Sequence, residues 1–201
     1  TTGFTGDLLL AYSITDDNAS SPATDDATLR INVIPDSNPG ENEPPVANDD
    51  NNITKRDIIV SGNVMTNDTD PDGDVITVTA ALVDVDGDGQ VDESLTLGSA
   101  TTVYGTNLGG TIVVAGIFTL NSDGTYSFDP NVDFLGDVIL DYTISDPAGL
   151  MDDARLRIIV REDGPNVTYA NDDANLSIQN VNQIGNVLDN DTVVDGATIT
   201  S

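Results

Sequence analysis

The chain of 201 residues has no cysteine, no histidine and no tryptophan, and only six of its residues are Lys or Arg. Each shortage excludes something. Without cysteine no disulfide staples the fold, which leaves the cytosol and bacterial export equally open. Zinc, haem and iron–sulfur groups lose their usual ligands, and imidazole acid–base catalysis is excluded. Six scattered bases cannot make the cationic surface that nucleic acid or an anionic membrane requires. No run approaches the roughly 20 apolar residues of a membrane span, so no membrane insertion is expected in this segment. A charged-then-apolar signal peptide does not open the chain.

Aspartate is what the chain has instead. Of its 35 acids only Glu41, Glu43, Glu93 and Glu162 are glutamates, so 31 are Asp, and the formal net charge is −29. Asp favours turns and hard-cation sites over helices. A hydrophobic content of 38% supports a packed core and one to two domains. Alternations such as Leu140-Asp141-Tyr142-Thr143-Ile144 argue against acidic disorder.

The sequence repeats itself. Phe4 to Asp16 returns, substituted, as Phe134 to Asp146, and Asp25 to Val33 as Asp152 to Val160. Ala47-Asn48-Asp49-Asp50 returns as Ala170-Asn171-Asp172-Asp173, followed by Gly62-Asn63-Val64 as Gly185-Asn186-Val187. The implied period is about 125 residues, the scale of a tandem domain array. Residues 1–34 then read as the C-terminal part of one β-sandwich repeat and 35–43 as a linker. Residues 44–162 read as a complete repeat and 163–201 as the N-terminal part of the next, a window on a longer array. Prolines at 35, 39, 44, 45 and 165 stiffen both joints.

No 3.6-residue period is sustained, while period-2 runs bounded by Gly, Asp, Asn and Pro recur. Strands are expected at Val75 to Ala80, Thr111 to Ala115, Ile117 to Leu120, Thr125 to Phe128, Val138 to Ser145 and Ala154 to Val160. Asp123-Gly124 marks a hairpin turn. About seven strands in such a repeat predict an all-β fold, an Ig-like two-sheet sandwich.

The succession Ala47-Asn48-Asp49-Asp50, Gly62 to Asp74, Asp123 to Pro130, Phe134-Leu135-Gly136 and Tyr142 to Asp146 carries a resemblance. It resembles the bacterial Ig-like and cadherin-like tandem repeats of large secreted surface adhesins, the RTX/VCBS-type arrays. That resemblance implies an extended, extracellular, calcium-stiffened stalk at the cell surface. An insert at Asp84 to Asn107 departs from the pattern.

Two segments carry cation chemistry. Asp84, Asp86, Asp88 and Asp92 stand at positions 1, 3, 5 and 9 of an EF-hand-like loop, with Gly89 at 6, Gln90 at 7 and Val91 at 8. Position 12 is Leu95 rather than a bidentate Glu, so an ion needs Glu93, water or another segment; the alternative is a solvated acidic turn. The second segment holds Asp68, Asp70, Asp72 and Asp74. Loop alternation in a sandwich places it at one pole with Asn48, Asp49 and Asp50 and with Asp146, Asp152 and Asp153. Crowded carboxylates repel by kilocalories at an effective dielectric near 20, and a calcium ion at this junction answers that repulsion. Separate Asx turns are the other reading.

Tyr126, Phe128, Phe134 and Tyr142 alternate with polar neighbours and read as core rather than as a glycan platform. Arg30, Arg155, Arg157 and Arg161 lie on corresponding strands as partners for carboxylates such as Asp141. No catalytic constellation is identifiable, and no enzymatic activity is expected. The expected function is a structural segment of an adhesin stalk or surface filament, partnered by neighbouring repeats and by identical chains. The alternative is a carbohydrate-binding module of a secreted multidomain protein.

Overall fold

A computed structural model describes residues 4–16, 24–34, 40–162, 168–170, 173–178, 186–188, 191–193 and 197–200. Much of both joints, residues 35–39 and 163–167, lies outside the described residues. Those described form strands, turns and irregular segments, with no helix among them. The strands are β1 (Gly6–Asp16), β2 (Thr24–Ile34), β3 (Asp50–Lys55), β4 (Val60–Asn63) and β5 (Thr77–Val83). They continue with β6 (Glu93–Ser94), β7 (Thr101–Asn107), β8 (Ile112–Leu120), β9 (Thr125–Pro130) and β10 (Gly136–Ser145). The last are β11 (Met151–Arg161), β12 (Thr168–Tyr169), β13 (Asp173–Ile178), β14 (Thr192–Val193) and β15 (Ala197–Thr200).

The strands from β3 to β11 build an all-β sandwich. One layer runs β3-β11-β10-β5-β6 and the other β7-β8-β9-β4. They join at a corner, where β10 pairs with β7 at Gly136 and Asp137 and with β5 from Leu140 to Ser145. Gly136 allows that corner: its φ is +156°, and a Cβ there would run into the Thr106 carbonyl.

Alternation in the sequence becomes the core. Along β10, Val138, Leu140, Tyr142 and Ile144 turn inward, and β11 answers with Leu156, Ile158 and Val160. The opposing layer supplies Phe118, Leu120, Tyr126 and Phe128, with Phe118 stacked on Tyr126 at 5.7 Å between ring centroids. Burying each such side chain stabilises the fold by roughly 1.5–3 kcal/mol, and these strands hold most of them.

Three expectations about strands need correction. The two segments Thr111 to Ala115 and Ile117 to Leu120 merge into one strand, β8, which starts at Ile112, because pairing continues across a register shift that skips Ala115 between Gly116, opposite Val103, and Val114, opposite Tyr104. Val75 and Ile76 fall outside a strand, which starts at Thr77 and extends to Val83. The expected strands also leave out Thr101 to Asn107, which forms β7 and pairs with β8 and β10.

A four-stranded sheet, β13-β2-β1-β15, gathers strands from both ends of the chain. β1 and β2 pair antiparallel from Gly6–Val33 to Thr15–Thr24. β13 lies parallel to β2, and β15 antiparallel to β1.

Candidate metal centre

The loop from Asp84 to Asp92 is closed at its neck by β5 and β6, where Val83 faces Glu93 and Leu82 faces Ser94. Asp84 is buried, at 5% exposure. Its Oδ1 accepts from the Gly87 amide at 2.6 Å and its Oδ2 from the Gly89 amide at 2.9 Å. Gly87 and Gly89 have φ of +84° and +86°, which turns the loop back over the carboxylate. Pairing across the neck delivers Glu93 to the same place, and the Val85 amide donates to its Oε2 at 3.3 Å. One oxygen each from Asp84, Asp86 and Glu93 lies within 4.8 Å of the others. Desolvation, with Asp86 and Asp92 adding repulsion, raises the Glu93 pKa above its ordinary value.

Only part of the EF-hand pattern comes together. Asp88 Oδ1 accepts from the Gln90 amide at 2.7 Å, and Asp86 Oδ1 from the Asp88 amide at 3.0 Å, as in successive Asx turns. Among the described residues, Asp88, Gln90 and Asp92 belong to no converging carboxylate trio. Leu95, at loop position 12, is buried in the core. Glu93, two positions earlier, is the carboxylate that returns to Asp84, because the hairpin register rather than loop numbering decides which side chain does so.

The acidic pole is organised round Tyr142. Its hydroxyl lies 3.0 Å from Asn48 O, Asp50 Oδ2 and Val64 O, and 3.2 Å from Asp68 Oδ2. A phenol has one proton to donate, so these acceptors cannot all be satisfied by it. Burial, with Asp68 beside it, pushes Asp50 well above the usual carboxylate range. Asp68 is pushed up to about 7, chiefly by burial and against the bonds it accepts from the Asn48 amide and Tyr142. Both groups therefore take a proton more readily than an exposed Asp.

The pole's other residues are tied as follows. Ala47 N donates to Asp152 Oδ2 at 2.9 Å, and Arg155 N to Asp49 Oδ1 at 2.8 Å. Asp70 Oδ1 accepts from the amides of Asp72 and Asp74, while its Oδ2 is buried without a hydrogen-bond partner, as is Asn67 Oδ1. Asp72 Oδ2 accepts from Glu43 N at 2.7 Å, and Asp146 Oδ2 from Asn42 Nδ2. Asp153 accepts from the Thr143 hydroxyl at 2.5 Å, and the Asp74 side chain is exposed. Asn48, Asp50 and Asp68 thus meet at the Tyr142 hydroxyl and Asp152 holds the neighbouring Ala47 amide, whereas Asp72, Asp74 and Asp153 are exposed. Tyr142 and Asn67 are organising residues that acidic patterning alone does not reveal.

A family model for the bacterial cadherin-like domain matches residues 42–162, the segment that folds as the sandwich from β3 to β11. The chain belongs to the bacterial cadherin-like domain family. Cadherin-like domains are extracellular, adhesion-type β domains as a rule and generally bind calcium. Among solved structures, the cadherin-like chain is similar to the extracellular cadherin domains 1–5 of protocadherin gamma B2. That match has 18% identity, a TM-score of 0.35, and covers 82% of this chain and 27% of that one. It is also similar to a nucleoside hydrolase-related hypothetical protein from Saccharophagus degradans, at 18% identity and TM-score 0.36, covering 59% and 26%. A third is an endo-fucoidan hydrolase of glycoside hydrolase family 107, at 16% identity and TM-score 0.30, covering 76% and 22%. The match spans about a quarter of each of these structures. A search among curated proteins gave no match. No helix among the described residues is long and apolar enough to cross a membrane.

The donors present fit the calcium that this family generally binds. They are oxygens throughout, the preference of a hard cation, and the unpartnered Asp70 Oδ2 and Asn67 Oδ1 are buried lone pairs with nothing to accept. Asp84, Asp86 and Glu93 would hold an ion at the loop neck; at the pole Asp50 and Asp68 share the Tyr142 hydroxyl, but among the described residues no carboxylate trio there converges as closely. Calcium there would supply the positive charge that clustered carboxylates lack.

Proposed function

We propose that the chain is a structural segment of a long extracellular adhesin stalk or surface filament, built of cadherin-like repeats and stiffened by calcium. The supporting observation is where the polypeptide enters and leaves the sandwich. It enters beside Asp146 and Asp72, which bind Asn42 and Glu43. It leaves beyond Arg161, opposite Lys55, where Arg56 meets Glu162 at 3.3 Å. β11, 11 residues long, runs between these ends, so entry and exit stand roughly 30 Å apart at about 3.3 Å per residue. Modules threaded from pole to pole string end to end. The matching registers of β1–β2 and β10–β11 support a second module of the same plan.

The role is mechanical and needs no catalysis. Its partners are neighbouring repeats and identical chains at a bacterial cell surface. Calcium at the entering pole joins the segment that arrives from the preceding module to the loops that receive it, which restricts the joint. Phe118, Tyr126, Phe128, Phe134 and Tyr142 are buried, so they are not available as a sugar-stacking platform. The test is thermal melting and small-angle scattering of the chain in calcium and in excess chelator. A lower melting temperature and a shorter particle in chelator are expected; identical melts and profiles refute the stiffening.

A further inference from the structure

The two joints of the chain differ in length. Between Val33 and Ala47 lie residues 34–46, 13 in all, whereas between their equivalents Val160 and Ala170 lie residues 161–169, nine in all. β12 begins at Thr168, so it stands no more than roughly 22 Å from Glu162 even with the chain between them fully stretched. The short joint keeps the start of the following module close to the pole from which the chain leaves the sandwich. β14, the partner of β12, comes within 8 Å of β3 between Cα atoms.

That pole presents apolar side chains at the tips of its turns. Ile58 and Ile59, between β3 and β4, are 56% and 58% exposed; Leu108, between β7 and β8, is 65% exposed, and Val132, between β9 and β10, 78%. The turns are tied to one another, since the Asp133 amide donates to Asp57 Oδ1 at 2.9 Å and the Leu108 amide to the Leu135 carbonyl at 3.1 Å. Asp57 and Asp133 have φ of +60° and +61°, a left-handed conformation that costs backbone strain and fixes where the tips stand. Arg56, 3.5 Å from Asp133 and 3.3 Å from Glu162, edges the patch with charge. Apolar side chains inside a polar rim are the anatomy of an interaction surface.

The following module is altered at the part that arrives here. Its pairing of Tyr169 with Thr192 is the equivalent of the Val46–Thr69 bridge in the sandwich. Val193 therefore takes the position of Asp70, Val194 that of Pro71 and Ala197 that of Asp74. Asp70 Oδ2 is a buried carboxylate oxygen without a partner, and the following module has valine in its place. Pro165 stands where Asn42 does, and proline lacks the side-chain donor by which Asn42 holds Asp146. Polar anchors of the first joint thus give way to apolar residues at the second.

We propose that the patch of Ile58, Ile59, Leu108 and Val132 is the seat of the following module, which docks on it through Val193-Val194 and holds the second joint by apolar contact without calcium. The proposal rests on the reading of the chain as consecutive repeats, and it separates the two joints: calcium restrains the one before the sandwich, apolar packing the one after it. The tether favours this occupant over any free partner, because a linker of a few residues gives an effective concentration in roughly the millimolar range.

The chain has no cysteine, so paired substitutions report the contact without background. Ile59→Cys is combined with Val193→Cys in one variant and with Val194→Cys in another, since alternation along a strand turns one of the two toward the patch. In the controls Val75→Cys, at a position 77% exposed ahead of β5, replaces Ile59→Cys. Oxidised glutathione is added below the melting temperature, in calcium and in excess chelator, and disulfides are read by intact mass and peptide mapping. One of the two pairs should close within the chain at least about tenfold faster than its control, at the same rate with and without calcium. Because Ile58 and Ile59 are exposed, Ile58→Asp/Ile59→Asp should keep the melting temperature and speed hydrogen exchange at Thr168 and Tyr169. Rates equal to the controls, disulfides only between chains, closure that chelator abolishes, or exchange indifferent to Ile58→Asp/Ile59→Asp each overturns the proposal. The calcium melt of the unaltered chain reads the stiffening separately, so either idea can fail while the other stands.

Discussion

Replacing Tyr142 by Phe removes one oxygen from the centre of the acidic pole and leaves the ring in place. The side chain is 1% exposed, so Phe opens no sizeable cavity and the effect reports the hydroxyl. That hydroxyl is within 3.0 Å of the Asn48 carbonyl, the Val64 carbonyl and a carboxylate oxygen of Asp50, itself only 6% exposed. Loss of a donor to a buried carboxylate costs about 2 kcal/mol, which for a domain of this size is roughly 5–10 °C of melting temperature. Urea unfolding of the full chain in chelator, followed by circular dichroism, measures it, with an unchanged slope confirming that the same surface unfolds. Calcium at the pole should diminish the loss, because the ion supplies the positive partner that Asp50 and Asp68 otherwise seek from Tyr142. A change below about 0.5 kcal/mol in chelator would show that the hydroxyl does not hold the three segments together, and the reasoning fails.

Three further outcomes follow from the same geometry. Asp68 has a folded pKa of about 7 against an ordinary 3.8, so the folded state binds its proton more tightly. Metal-free stability should therefore be fullest below pH 4 as far as this group is concerned, and fall as pH rises through 7, by at most about 4 kcal/mol; Asp68→Asn should flatten that slope, and an unchanged slope contradicts it. Terbium at the loop neck should be sensitised by Tyr104, whose ring lies against Gly87, with Glu93→Gln weakening binding about tenfold or more, a loss near 1.4 kcal/mol; equal titrations would remove Glu93 from the site. Gly136→Ala should cost about 2 kcal/mol or more by forcing β7 and β10 apart, read as faster hydrogen exchange at Thr106 and Asn107, and a neutral result would deny that the corner needs glycine.

Local patterning made much of this fold legible. The alternations at Val138 to Ser145 and Ala154 to Val160 became two neighbouring core strands, and the Asp123-Gly124 turn lies between β8 and β9. Arg155 reaches Asp141 with two bonds, 2.6 and 2.9 Å, across that same strand pair. What escaped was decided by contacts between distant segments. Thr101 to Asn107 carries a glycine and few large apolar residues, and it becomes a strand because β8 and the start of β10 accept it. Glu93 enters the candidate site through the Val83–Glu93 pairing, which loop numbering does not contain. Asp72, Asp74 and Asp153 resemble Asp50 and Asp68 in sequence, yet their backbones turn them toward solvent. The parallel pairing of β13 with β2 lies further still from any local signal.

The central claim is that calcium occupies this cadherin-like chain and holds it together. Native mass spectrometry of the intact chain, titrated with calcium and compared with Asp84→Asn/Glu93→Gln and Asp50→Asn/Asp68→Asn variants, tests it most directly. The account predicts discrete calcium adducts on the unaltered chain, with each variant losing its own subset and melting at the same temperature with or without the ion at that site. A chain that stays free of calcium at millimolar concentration, or variants that bind as many ions as the parent, would contradict it.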